Sequence, residues 1–325
     1  MQNAPLTSAQ ALPREQLQRF LRKSDARAAW MLVFNWALIA ATFAGVMAWP
    51  NALSVLVALL VLGGRQLGLG ILTHECAHRS FLTSPRLNEW VGQWFCGAPV
   101  FVDLGIYRRY HMTHHVKTGT PDDPDLSNYA SYPVSRASLL RKLGRDLLGQ
   151  SGLRALLSLA YLYGSGSDQG YSYQSTTAVP RLDPRALLWN LRRIVLVNAL
   201  LFTTCWAAGQ PLAYLLWPSA WMTSYMVFSR IRNAAEHGAL PGTSSTDIWT
   251  NTRTVEARWW ERLTVAPNYV NFHFEHHLAP TVPSYRLPEL HRWLKQQGAM
   301  AHAQCEVGYG RVLRRLVASS GKNLS

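Results

Sequence analysis

Eight of the eleven histidines lie in three tight boxes, His74-Glu-Cys-Ala-His78, His111-Met-Thr-His114-His115 and His273-Phe-Glu-His276-His277. Positions i, i+3 and i+4 of a helix share one face, so each box can aim two or three imidazoles at one point. Metal sites between packed helices are built in this way. His237 follows Asn233 by one helical turn, which adds a ninth imidazole and an amide that can reach the same level. First-row metals take roughly four to six ligands and a catalytic ion keeps one position open, so nine imidazoles imply two metals. Imidazole suits iron, zinc, copper and nickel alike, and the ligand count does not name the element. His291 and His302 belong to no box and read as surface residues.

Two rival chemistries use fewer of these residues. The first box satisfies H-E-x-x-H, in which two histidines hold zinc and the glutamate is the general base of a protease. Such a site needs one further ligand and leaves His111, His114, His115, His273, His276 and His277 largely idle. A metal transporter would carry its ligands at membrane depth, yet the long apolar blocks contain no histidine or carboxylate. The four cysteines, Cys76, Cys96, Cys205 and Cys305, form no C-x-x-C pair, which predicts reduced thiols without disulfides or an iron–sulfur cluster.

The elements that must position the boxes follow from composition. Apolar residues make up 48% of the chain, tryptophan occurs 13 times, and the net charge is +14. Nucleic-acid binding would explain the charge, but the apolar residues are gathered into blocks at 28–73 and 194–229, and Arg65 is the only charge within them. Each block holds two spans of about 20 residues. The spans are 28–49 and 52–72, parted by Pro50-Asn51, and 194–208 and 212–229, parted by Gly209-Gln210-Pro211. Those tips carry no lysine or arginine, whereas Arg14, Arg19, Arg22, Lys23, Arg27, Arg79, Arg86, Arg192, Arg193, Arg230 and Arg232 flank the other ends. The positive-inside rule then places both termini and everything but the tips on the cytoplasmic side of the cell's inner membrane.

The expectation is therefore an all-α, multi-pass membrane protein forming one domain over 1–325. Four transmembrane helices in two hairpins carry a cytoplasmic helical cap, 73–193 and 230–318, which holds a dimetal site. The first span lacks a cleavage pattern and reads as an anchor, not a signal peptide. With the helix continuing out of the bilayer, His74 stands roughly 15 Å beyond Gly64, and Arg65 snorkels to the headgroups. Stretches 90–107 and 139–163 are amphipathic and suit the bilayer surface. The segment 164–177 reads as a loop and 319–325 as a fraying tail.

The order H-x-x-x-H, H-x-x-H-H, H-x-x-H-H resembles the membrane-bound fatty acid desaturase and hydroxylase superfamily. The resemblance spans about 70–290. It takes in Asp122-Asp123-Pro124-Asp125 after the second box and the stretch from Asn268 through Asn271 to His277, and Asn233 with His237 is similar to the family's extra ligand position. It implies a cytoplasmic di-iron centre beside a narrow apolar tunnel, with two Fe ions held by His74, His78, His111, His114, His115, His237, His273, His276 and His277. Asn233 is a weaker tenth candidate, acting through water. The implied reaction is O2-dependent desaturation of a lipid acyl chain; hydroxylation or ketolation of a lipid, alkane or carotenoid on the same scaffold is the alternative. The three-residue gap in the first box is more similar to acyl-lipid, sphingolipid and carotenoid enzymes than to acyl-CoA desaturases.

Further residues follow from their neighbours. Glu75, Glu236 and Glu275 adjoin ligands and can orient imidazole N–H groups or remain solvated, while Asp122, Asp123 and Asp125 read first as a turn. With no dinucleotide glycine fingerprint and no paired cysteines, the reductant must be a partner, a ferredoxin or a cytochrome-type donor. Arg108, Arg109, Arg258 and Arg262 are candidates to contact it, or to meet lipid phosphates.

Overall fold

Local capping chemistry sets the ends of the long helices. The computed structural model describes residues 11–164 and 182–318. Helix Asp25–Ala48 stops before Pro50, and helix Ala52–Ala77 begins with a capping box. There Asn51 Oδ1 accepts from the Ser54 amide at 3.0 Å and Ser54 Oγ accepts from the Asn51 amide at 3.1 Å. Helix Pro184–Ala207 starts well before position 194, because Asp183 caps it and proline suits the first turn. The Gln210 side chain donates to the Met47 carbonyl at 3.0 Å, which brings the two apolar turns together. Among the described residues these three helices are long and apolar enough to cross a membrane.

The fourth apolar segment is helical but interrupted. A 3₁₀ turn Pro211–Leu215, helix Leu216–Ala220, π turn Trp221–Tyr225 and helix Met226–His237 follow one another directly. A π turn inside a helix often marks a functional site, and Trp221 and Tyr225 line the cavity described below. The stretch expected at 90–107 is also broken, into π turn Gly92–Gly97, 3₁₀ turn Ala98–Val100 and the start of helix Leu104–Lys117. The stretch at 139–163 is two helices, Arg136–Leu147 and Gln150–Gly164, which turn at Gly149 with φ 75°. The fold is mostly helical, with one departure from the all-α expectation: strands Arg253–Glu256 and Gln304–Val307 pair in parallel. The readings for 165–177 and 319–325 lie outside the described residues.

Arg65 does not snorkel outward to the surface. It is 1% exposed, and its guanidinium donates to Asn35 Oδ1 at 3.1 Å and to the carbonyls of Arg262 and Leu263 at 3.2 and 2.9 Å. The chain around Leu263 lies directly on helix Ala52–Ala77, where a Cβ at Gly64 would meet the Leu263 carbonyl at 2.2 Å. Both Nη nitrogens are thus paired, while Nε is buried with no hydrogen-bond partner among the described residues. Arg65 ties the chain that leads into the third box to the first two helices.

Candidate metal centre

Each box sits at a helix end held by other residues. The first occupies the last turn of helix Ala52–Ala77, whose terminal carbonyls at Cys76 and Ala77 accept from Arg108 at 3.0 and 2.8 Å. A cation at a helix C-terminus also complements the helix dipole. Arg108, a candidate contact for a redox partner, is thus committed to this cap and to Glu89. The second box lies on helix Leu104–Lys117, started by Asp103, and Tyr107 stacks on His111 with ring centroids 5.5 Å apart. His237 ends helix Met226–His237, where buried Arg253 donates to the carbonyls of Ala235 and Gly238.

The third box is the short helix His273–Leu278. Phe274 enters an apolar core with Trp249, Leu287 and Leu290, which turns the histidines the other way. The chain enters this helix through Asn268 and Tyr269, with φ of 54° and 65°; asparagine tolerates that left-handed conformation better than most residues. The Asn268 amide donates to the Gly68 carbonyl at 2.7 Å and accepts from Asn35 at 3.1 Å, so the loop is fastened to both long helices.

All nine boxed and extra histidines converge, and they fall into two groups. His74, His78, His111, His115 and His276 form one; His114, His237, His273 and His277 form the other. Within each group one nitrogen per ring lies within 4.8 Å of all the others. His237 Nδ1 faces the Asn251 carbonyl at 2.8 Å and His273 Nδ1 faces Glu236 at 3.4 Å, yet their Nε2 atoms stand 2.8 Å apart. With both Nδ1–H groups directed outward, two lone pairs oppose each other, a repulsion that a cation between them reverses. His78, His111, His115 and His276 make a chain of such contacts at 2.9 to 3.0 Å. His74 Nε2, His276 Nδ1 and His277 Nε2 are buried without a hydrogen-bond partner among the described residues. This donor set fits a metal pair.

The electrostatics keep most of these rings neutral. Burial, then the charge of Arg108 and of His114, brings His78 down to about 4. Burial and neighbouring histidines bring His115 down to about 2, and burial with His114 brings His237 down to about 3. His111, His273, His276 and His277 are lowered well below the usual value for the same two reasons. Neutral imidazole is the form that binds a metal. His114 goes the other way: burial lowers it, but the hydrogen bond to Asp123 and the charges of Asp125 and Asp123 raise it overall.

Asp123 is the clearest residue the sequence reading undervalued. It is more than part of a turn: Oδ1 accepts from His114 Nδ1 and from the Asp125 amide, each at 2.8 Å, and the Tyr129 hydroxyl donates to Oδ2. Glu75 faces His74 Nδ1 at 3.2 Å and is held by the Ser284 amide and Ser80, and Glu236 faces His273. Glu275 supports no boxed histidine. It accepts from Thr254 and faces Nδ1 of His291 at 2.5 Å, so His291 is buried and not a surface residue. Asn233 belongs to neither group; its Oδ1 accepts from Arg232 at 2.9 Å, and it borders a small pocket beside His111, His114, His237 and His273.

Beside the histidines lies a cavity of about 330 Å³. Its lining is apolar in part, from Ile71, Val100, Leu159, Leu162 and Trp221. It is polar in part, from Tyr107, Asp125, Asn128, Ser229, Arg232 and Asn233, and all of these except Ser229 also border the small pocket at the histidines.

Known proteins similar to this chain are desaturases. The chain is 24% identical to the dihydrorhizobitoxine desaturase of Bradyrhizobium elkanii over 241 residues, 71% of this chain and 64% of that protein; it spans just under two-thirds of that relative's length. It is 24% identical to the sn-1 oleoyl-lipid 12-desaturase of Anabaena variabilis over 303 residues, 85% and 77% of the two chains. A shorter match, 37% over 67 residues, covers 21% of this chain and 17% of a Synechocystis sn-1 acyl-lipid omega-3 desaturase (ferredoxin). The family model described as fatty acid desaturase matches residues 48–308, which include every box and most of the chain, so this protein belongs to the fatty acid desaturase family.

Proposed function

We propose that this protein is a multi-pass membrane desaturase that uses two irons, dioxygen and external electrons to place a double bond in an acyl or related alkyl chain. The observation that carries the reading is the pair of histidine groups standing against a cavity with a partly apolar lining. His74, His78, His111, His115 and His276 would hold one metal and His114, His237, His273 and His277 the other, with Asn233 acting through water beside the second. When bound, the metals supply activation of dioxygen and removal of hydrogen from unactivated carbons. In balance, two hydrogens leave adjacent carbons, and dioxygen with two electrons and two protons from the donor becomes two waters.

The chain's own task is positioning. Asp123, Glu75, Glu236 and the Asn251 carbonyl fix the ring orientations, and the apolar lining residues lay the alkyl segment in place and exclude water. The relatives' names include both acyl-lipid enzymes and a dihydrorhizobitoxine desaturase, so shared reaction type is better supported than shared substrate. One relative's name includes ferredoxin. A small acidic ferredoxin suits a chain of net charge +14, with Arg258 and Arg262 as candidate contacts. The arginine distribution supports a metal centre on the cytoplasmic side of the inner membrane.

Mass spectrometry of lipids from cells expressing the wild type or His276→Ala tests the reading. Wild-type lipids lighter by two hydrogens, absent with the variant, are expected. A gain of one oxygen would assign hydroxylation instead, and unchanged lipids from an iron-loaded wild type would contradict an acyl-lipid substrate.

A further inference from the structure

The polar part of the cavity lining is unusual for a passage that admits only hydrocarbon. Polar groups facing an alkyl chain lose water and gain no partner, which is costly. Among the described lining residues Arg232 is the one cation. Its Nε lies 2.5 Å from Glu236 and its Nη1 donates to Asn233, while Nη2 makes no hydrogen bond to the described residues and the side chain keeps 15% of its area exposed. Arg232 lines both the large cavity and the small pocket at the histidines, so that area is open to the chamber. An arginine guanidinium is a cation at any pH the protein meets.

The two carboxylates in the lining of the large cavity have other partners. Asp103 caps its helix and pairs with Arg193 at 3.3 Å. Asp125 accepts from Tyr110 and from Asn128. Glu236 pairs with the Nε side of Arg232, and none of the three carboxylates hydrogen-bonds its Nη2 edge. A guanidinium edge with free donors matches a carboxylate or phosphate oxygen pair.

Resting on the desaturase reading above, we propose that Arg232 and the polar lining residues around it form an anion subsite that seats a carboxylate or phosphate of the substrate, with its alkyl part along the apolar lining residues. Arg232 borders the same small pocket as His111, His114, His237 and His273, and Glu236 links it to His273, so the anionic group sits next to the histidine groups. The oxidised carbons are then a few bonds from the polar end, and chains that present only methylenes near the metals are poor substrates.

The test is equilibrium binding of hexanoate, hexyl phosphate and hexanol to the full-length, iron-loaded protein in detergent under argon, with iron measured on every sample. The wild type is expected to bind the better of the two anions about 10- to 100-fold more tightly than hexanol, Arg232→Met to erase that gap with iron retained, and Arg232→Lys to keep part of it. Hexanoate ahead of hexyl phosphate identifies a carboxylate, and the reverse order a phosphate headgroup. Equal binding of anion and alcohol by the wild type overturns the proposal. So does a preference that survives Arg232→Met, since the anion then binds the metals themselves. If Arg232→Met loses iron, Arg232→Lys decides, and loss of iron in both assigns Arg232 to holding Glu236 and overturns the subsite. Failure of the desaturase reading is separate: the anion preference would stand while the iron-loaded protein, supplied with electrons and dioxygen, removed no hydrogen from any chain it binds.

Discussion

At the scale of single residues, the site depends on which nitrogen of each ring is free. Asp123 fixes the Nδ1–H of His114 and so aims its Nε2 inward. Asp123→Asn should therefore weaken metal binding about 10- to 100-fold, measured by chelator competition, with helix content unchanged in circular dichroism; unaltered affinity would return Asp123 to a turn residue. His115→Ala and His273→Ala strike different groups, and each should lower bound iron and abolish product, whereas His302→Ala should do neither. The box histidines were legible because their spacing is local and matches one helical face. Asp123 and His291 were not, because their partners are chosen by tertiary packing: a D-D-P-D run makes an adequate turn in isolation, and no sequence pattern links His291 to Glu275.

Elements matter through how closely they approach. Helix Ala52–Ala77 admits the Leu263 chain only because position 64 has no side chain. Gly64→Val should destabilise the protein by about 1–3 kcal/mol or more and reduce iron in both groups, since the displaced segment leads to the third box. Gly45→Val, with nothing within 4 Å of its added Cβ, should leave the melting temperature in detergent unchanged; equal effects of the two would refute the close-approach argument. Turn residues and apolar length showed three long helices and their joints in advance. The break in the fourth segment was not visible, because a π turn changes hydrogen-bond pairing without changing composition. Nor was the fate of Arg65, which depends on carbonyls 197 and 198 positions away in sequence. The division into five and four histidines is likewise a product of helix packing, since the second and third boxes each contribute to both groups.

For the whole molecule, metal binding and stability are linked. A histidine whose folded pKa lies below its unfolded value of about 6.5 binds fewer protons when folded, so stability present above that pH is lost as the pH falls through and below it. The slope is about 1.4 kcal/mol per pH unit for each such ring, down to about 4 for His78 and about 3 for His237. His114, raised by Asp123, opposes this, but it is outnumbered. Metal-stripped protein should melt lower at pH 5.5 than at pH 7.5, and loaded protein should melt higher than stripped at both; pH-independent melting of the stripped form would show that the rings are not buried neutral. Elemental analysis of detergent-purified protein grown with ample iron tests the proposed pair of metal sites most directly. About two irons per chain in the wild type, with a loss in both His115→Ala and His273→Ala, is the predicted result. One zinc per chain, retained in both variants, would contradict the account and favour the H-E-x-x-H protease chemistry of the first box.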